Sequence, residues 1–133
     1  MRNGNDLLRY QLPPALWMIL IFVSSSLPER VFPAVNWWGW AKLVHLFFYA
    51  VLCFLTWRAM HHQDRLPWLR RHSAFVGFFV AILYGSLDEL HQVFTAGRHP
   101  AFTDVLIDGL GACLFLAALE LYRVLKGTRD TAY

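Results

Sequence analysis

Charge is the resource this chain lacks most. Lys, Arg, Asp and Glu make up 16% of its 133 residues, while hydrophobic residues make up 57%. An ordinary soluble domain carries about 25% charged and about 45–50% apolar residues. So small a charged fraction argues for lipid as part of the solvent. The net charge of +3 is modest and not clustered, which excludes the basic footprint of a nucleic-acid-binding protein. Cysteine is also scarce. Cys53 and Cys113 both lie in apolar runs without metal-ligand spacing and read as small buried residues. No internal repeat, low-complexity tract or lipidation motif is visible, and 1–133 reads as a single domain.

Four apolar segments run at about 13–27, 41–60, 73–94 and 103–125. The uncharged stretches of the last three fall short of the roughly 18 residues that mark a spanning helix. Their character decides the matter. Phe75 to Leu83 and Leu110 to Leu119 carry no polar residue at any helical phase, whereas a soluble helix keeps a polar face. So short a chain has too little bulk to bury four such helices from water. With their charged ends included, these segments reach about 20 residues, enough for a bilayer. The expected fold is all-α: an integral membrane four-helix bundle.

The first segment is the shortest, and its opening MRNGNDLLR, apolar run and Ser24-Ser25-Ser26 have the outline of a signal peptide. Pro13 and Pro14 at its head suit a retained helix, and retention is the expectation. If all four segments span, nine of the twelve basic residues fall on the side of the N-terminus, the 61–72 loop and the C-terminus. That excess predicts that both termini are cytoplasmic. Trp37, Trp38 and Trp40 then belong to an outer aromatic belt, with Trp17, Trp57 and Trp68 near the inner one.

The titratable residues gather at the outer helix ends. Lys42, His45 and Tyr49 share one face of the second helix, and Tyr84, Asp88 and His91 share one face of the third. Glu89 and Gln92 form a neighbouring stripe. Asp104 and Asp108 share a face at the start of the fourth, after Arg98 in the loop. Ser24, Ser25 and Ser26 close the first helix at the same level. Each charge in a membrane helix costs about 2.5–3.5 kcal/mol at mid-span, so these groups are expected to face one another or a wet cavity. The blander alternatives are an interfacial anchor for Lys42, an interhelical hydrogen bond for His45, or a purely structural polar network. Arg58 and Glu120 read as snorkelling residues. Asp88, Glu89, Asp104 and Asp108 outnumber Lys42 and Arg98 by two charges, which protonated histidines, a raised carboxylate pKa or a divalent cation would balance.

These residues also resemble a known pattern. SSSLP at Ser24 to Pro28, K-x-x-H-x-x-x-Y at Lys42, His45 and Tyr49, YGSLDELHQVFTAGR from Tyr84 to Arg98, and D-x-x-x-D-G-x-G from Asp104 to Gly111 together resemble the VanZ-like family. That family is named for a component of glycopeptide (teicoplanin) resistance. The chain departs from it at Ala41, where the family often has an acidic residue, and at Asp108, where it commonly has Asn. The resemblance implies a multi-pass protein of the bacterial cell membrane linked to the cell envelope.

Three functions compete. The first is binding or modification of an envelope lipid or lipid-linked precursor. In it Asp88, Glu89, Asp104 and Asp108 hold a metal or a cationic headgroup, Lys42 and Arg98 meet phosphate, and His45 serves as general acid or base if there is chemistry. The second is proton- or ion-coupled transport. The third is a non-catalytic assembly partner, in which Gly77, Gly109 and Gly111 allow close helix packing. Tyr49, Tyr84 and Gln92 complete the expected ligand-binding set. No nucleophile motif marks an enzyme, and association into a homo-oligomer stays open.

Overall fold

A computed structural model describes residues 6–27, 37–95, 97 and 100–130, with side chains for all of these except 37, 38 and 128–130. A π-helical stretch, Leu7–Gln11, leads directly into α1 (Leu12–Ser25). There follow α2 (Trp37–His61), a short α3 (Pro67–Arg71), α4 (Ser73–Gln92) and α5 (Phe102–Asp130). Among the described residues there is no strand. Four stretches are long and apolar enough to cross a membrane: Leu7–Ser25, Gly39–His61, Ser73–Gln92 and Phe102–Gly127. The all-α membrane bundle expected from the sequence is the fold observed.

The first span starts earlier than the expected residue 13, for a local reason. Pro13 and Pro14 lack N–H groups, and their rings crowd the carbonyls four residues back. The preceding turn widens instead of breaking, so that the Leu12 N–H donates to the Leu7 carbonyl, five residues earlier. The span thereby gains a turn and reaches 19 residues, about 28 Å of rise. Its start is clasped to the end of α2. Gln11 Nε2 donates to the Ala59 carbonyl at 3.1 Å, and Tyr10 stacks on His62 with ring centres 4.4 Å apart. The Arg58 guanidinium sits 5.0 Å from the centre of the same Tyr10 ring.

That shift also moves Trp17 out of the expected inner belt. It lies mid-span, its indole N–H donating to the Phe48 carbonyl at 2.9 Å. Trp57 packs among Phe54, His61 and Phe115 inside the bundle, whereas Trp40 and Trp68 are exposed as belt residues are. Trp37 and Trp38 have side chains outside the described set. The 61–72 loop is not wholly irregular, since Pro67 opens α3. The buried Gln63 braces that turn by donating to the Leu66 carbonyl and accepting from the Leu66 N–H.

Burial runs opposite to that of a soluble protein. Leucine and phenylalanine side chains such as Leu43, Phe47, Phe79, Leu83 and Leu106 are exposed. Asp88, Glu89, Gln92 and Asp108 are buried. This inversion is stable only where the surroundings are apolar. The helix α2 packs on both α4 and α5, which also pack on each other, and α1 lies outside against α2 and touches α4. Of the two cysteines, Cys53 is buried as expected. Cys113 is exposed on α5, contrary to that expectation.

Close approach of α5 to α2 depends on Gly111. A Cβ there would overlap the Leu46 carbonyl, a backbone group that cannot move aside. A Cβ on Gly109 would instead meet only the mobile end of Ile82, at 2.8 Å. Gly111→Val is therefore expected to lower stability by about 1–3 kcal/mol or prevent assembly, while Gly109→Ala stays near wild type. Thermal unfolding of the detergent-solubilised variants checks the contrast.

Candidate functional site

The polar residues of α2, α4 and α5 meet where α4 ends and α5 begins. Asp108, nearly two turns into α5, has no exposed surface. Its Oδ1 lies 3.0 Å from His45 Nδ1 on α2. A carboxylate there accepts from an Nδ1–H, and in the neutral imidazole that tautomer leaves the Nε2 lone pair free for a ligand. The other carboxylate oxygen, Oδ2, has no hydrogen-bond partner among the described residues. It faces Gly85, where a Cβ would stand 2.6 Å away. Gly85 is thus the residue on α4 that makes room for the buried acid. The motif reading missed this role, although a small residue one helical turn before Asp88–Glu89 was there to be read.

Asp88 and Glu89 are adjacent carboxylates in a buried setting, and each has a partner. Gln92 Nε2 donates to Asp88 Oδ2 at 3.4 Å and to Glu89 Oε1 at 3.3 Å. The Ala101 N–H donates to Glu89 Oε2 at 2.9 Å. Asp104 occupies the first turn of α5 and takes a bond from Thr103 Oγ1 at 3.4 Å. Glu89 and Asp104 therefore collect around the N-terminus of α5, where the helix dipole favours negative charge.

His45, Glu89 and Asp104 each offer one ligand atom, and these atoms lie within 4.8 Å of one another. Ligands about 2.1 Å from a tetrahedral divalent ion stand about 3.4 Å apart, so small side-chain rotations would close the set. One imidazole with two carboxylates suits a first-row divalent ion. Asp108 then stands in the position of the carboxylate that orients a histidine ligand through its second nitrogen. This triad differs from the four carboxylates suggested by sequence. His45 joins it, while Asp108 turns to His45 and Asp88 to Gln92.

The remaining candidates divide. Tyr49 is buried below His45, their rings stacked at 6.2 Å, and its hydroxyl has no hydrogen-bond partner among the described residues. Lys42 is half-buried one turn before His45. Tyr84 and His91 turn from the cluster toward α1. The Tyr84 hydroxyl donates to the Met18 carbonyl at 2.6 Å, and His91 Nε2 lies 3.0 Å from Ser26 Oγ with Phe22 against its ring. Both tie α1 to α4, a role their shared spacing with Asp88 did not signal. Arg98 lies outside the described residues.

A family model described as VanZ/LLP1 matches residues 3–123. The chain belongs to the VanZ/LLP1 family. No curated protein and no solved structure matches it. The match spans all the residues of this VanZ/LLP1 site, from Lys42 to Asp108.

Two substitutions separate lining from foundation. Tyr84→Phe removes one interhelical hydrogen bond and is expected to cost about 0.6 kcal/mol. Asp108→Ala leaves His45 unpaired over a void beside Gly85 and is expected to cost about 2–4 kcal/mol. Unfolding midpoints in a single detergent read the difference.

Proposed function

We propose that this VanZ/LLP1 protein binds or modifies a cell-envelope lipid or lipid-linked precursor at the outer leaflet of a bacterial cell membrane. The observation that carries the reading is the convergence of His45, Glu89 and Asp104 at the end of a bundle with a lipophilic outer surface. A headgroup entering there meets acids and an imidazole, while its acyl or polyprenyl tail lies along exposed residues such as Leu43, Phe47 and Leu106. The basic end of the bundle, with Arg58, Arg65, Arg70, Arg71, Arg123 and Lys126, sits on the cytoplasmic side by the charge rule. Both termini then face inward.

Within this reading His45, Glu89 and Asp104 would hold a divalent cation. A cation there supplies the positive charge that a carboxylate-rich pocket needs to receive a phosphate. Asp108 orients His45, Gln92 donates to both Asp88 and Glu89, and Lys42 lies one turn before His45 on α2. His45 is the residue suited to move a proton, should the headgroup be modified as well as bound. Ion-coupled transport finds less support. Tyr49, Leu52 and Cys53 fill the bundle below His45 with almost no exposed surface.

The test is lipid retention. Wild-type protein in nanodiscs of bacterial lipid extract is expected to co-purify with a phosphate-bearing envelope lipid, detected by mass spectrometry. Glu89→Gln and Asp104→Asn are each expected to reduce its recovery about tenfold, the effect of removing one charge-assisted interaction. Equal recovery from wild type and both variants defeats the reading. A role in glycopeptide resistance predicts that expression raises teicoplanin tolerance in a susceptible host, and that Asp104→Asn abolishes the gain.

A further inference from the structure

The opposite end of the bundle holds a second candidate site, built from cations. A cavity of about 390 Å³ is lined by His61, Pro67, Arg70, Arg71, Ser73 and Arg123. It is open to the surroundings, with Pro67, Arg70, Arg71 and Arg123 all exposed. The end of α2, both ends of α3, the start of α4 and the last turns of α5 each contribute to it. Among the described residues no carboxylate lines it. Arg70 meets Asp64 at 3.5 Å and Arg123 meets Glu120 at 3.4 Å, both in exposed pairs that yield easily to a stronger anion.

Two features favour an anion at this opening. Arg70 and Arg71 of α3 and Arg123 of α5 are brought to one opening, so like charges are held together. The helix α4 begins at Ser73 with no acidic residue in its first turn, and Arg70, Arg71 and His72 precede it in the chain. Cations beside the positive end of a 20-residue helix oppose its dipole. A phosphate placed among them relieves both repulsions and is matched by planar arginine donors.

We propose that this cavity is a phosphate-binding site for a phosphate ester or free phosphate, separate from the carboxylate site at the other end. Arg71 and Arg123 clamp the phosphate oxygens, and the start of α4 faces it. The proposal does not depend on the lipid reading of the His45 end.

The full chain in detergent is titrated with short-chain phosphatidylglycerol, with inorganic phosphate and with short-chain phosphatidylcholine. Binding is followed by native mass spectrometry, and helix content by circular dichroism. Arg71→Gln combined with Arg123→Gln is expected to weaken binding of the anionic probe about a hundredfold, about tenfold for each guanidinium removed. The single Arg71→Gln, at an exposed position, keeps the test valid should the pair fail to fold. Cys113→Ala, an exposed position outside both sites, leaves the affinity unchanged. A weakening confined to phosphatidylglycerol identifies a lipid headgroup as the ligand, and one that extends to inorganic phosphate identifies a soluble phosphate. Wild-type protein that binds neither anionic probe, or binds them no better than the arginine variants do, overturns the proposal.

Discussion

Asp108 reaches neither solvent nor lipid, and a carboxyl group so placed persists only where another group meets it. His45 provides the contact at 3.0 Å. Around this one bond the relative positions of three helices are set. α5 brings the acid, α2 brings the imidazole, and α4 makes space with Gly85, where any side chain would collide with Asp108 Oδ2. Gly111, one helical turn after Asp108, lets α5 sit against the backbone of α2 at Leu46, next to His45. The closest helix contact and the buried pair therefore reinforce each other. A shift of α5 along α2 would break both together.

In a protein whose outside is apolar, ordinary hydrophobic burial gives little preference for one helix arrangement over another. The polar cluster supplies that preference. Glu89 accepts from the Ala101 N–H at the threshold of α5, Gln92 spans Asp88 and Glu89, and the Tyr84 hydroxyl fastens α1 through the Met18 carbonyl. The same contacts that define the bundle also hold His45 and Glu89 in place. Residues that would serve a ligand are thus already part of the framework, which suits a site formed before its ligand arrives.

How much of this was legible in the sequence follows from what each signal encodes. The four spans were readable because an all-round apolar surface has no soluble counterpart at this chain length. The gathering of His45, Glu89 and Asp104 was readable as a shared level of helix ends, since an up-and-down bundle brings those ends together. Helical spacing does not tell which neighbour a side chain turns to. Tyr84, Asp88 and His91 lie on one nominal face, yet Asp88 is held by Gln92 inside the bundle while Tyr84 and His91 reach α1. The start of α1 was hidden for another reason. Paired prolines read as a beginning, and only the wide turn between Leu7 and Leu12 shows a helix passing through them.

The two ends of the bundle handle the same electrostatic problem differently. α4 and α5 run antiparallel, so each end carries the positive terminus of one of them. At the start of α5 the chain answers with its own acids, Asp104 in the first turn and Glu89 on the Ala101 N–H. The start of α4 has no acid in its first turn and adds Arg70, Arg71 and Arg123 around the same opening. Interfacial anchoring accounts for single arginines at such a level, since each extends separately to the headgroups. It does not account for arginines from two elements that line one opening. The acids at one end and the arginines at the other therefore give the two openings opposite sign, which is what favours an anion at the start of α4.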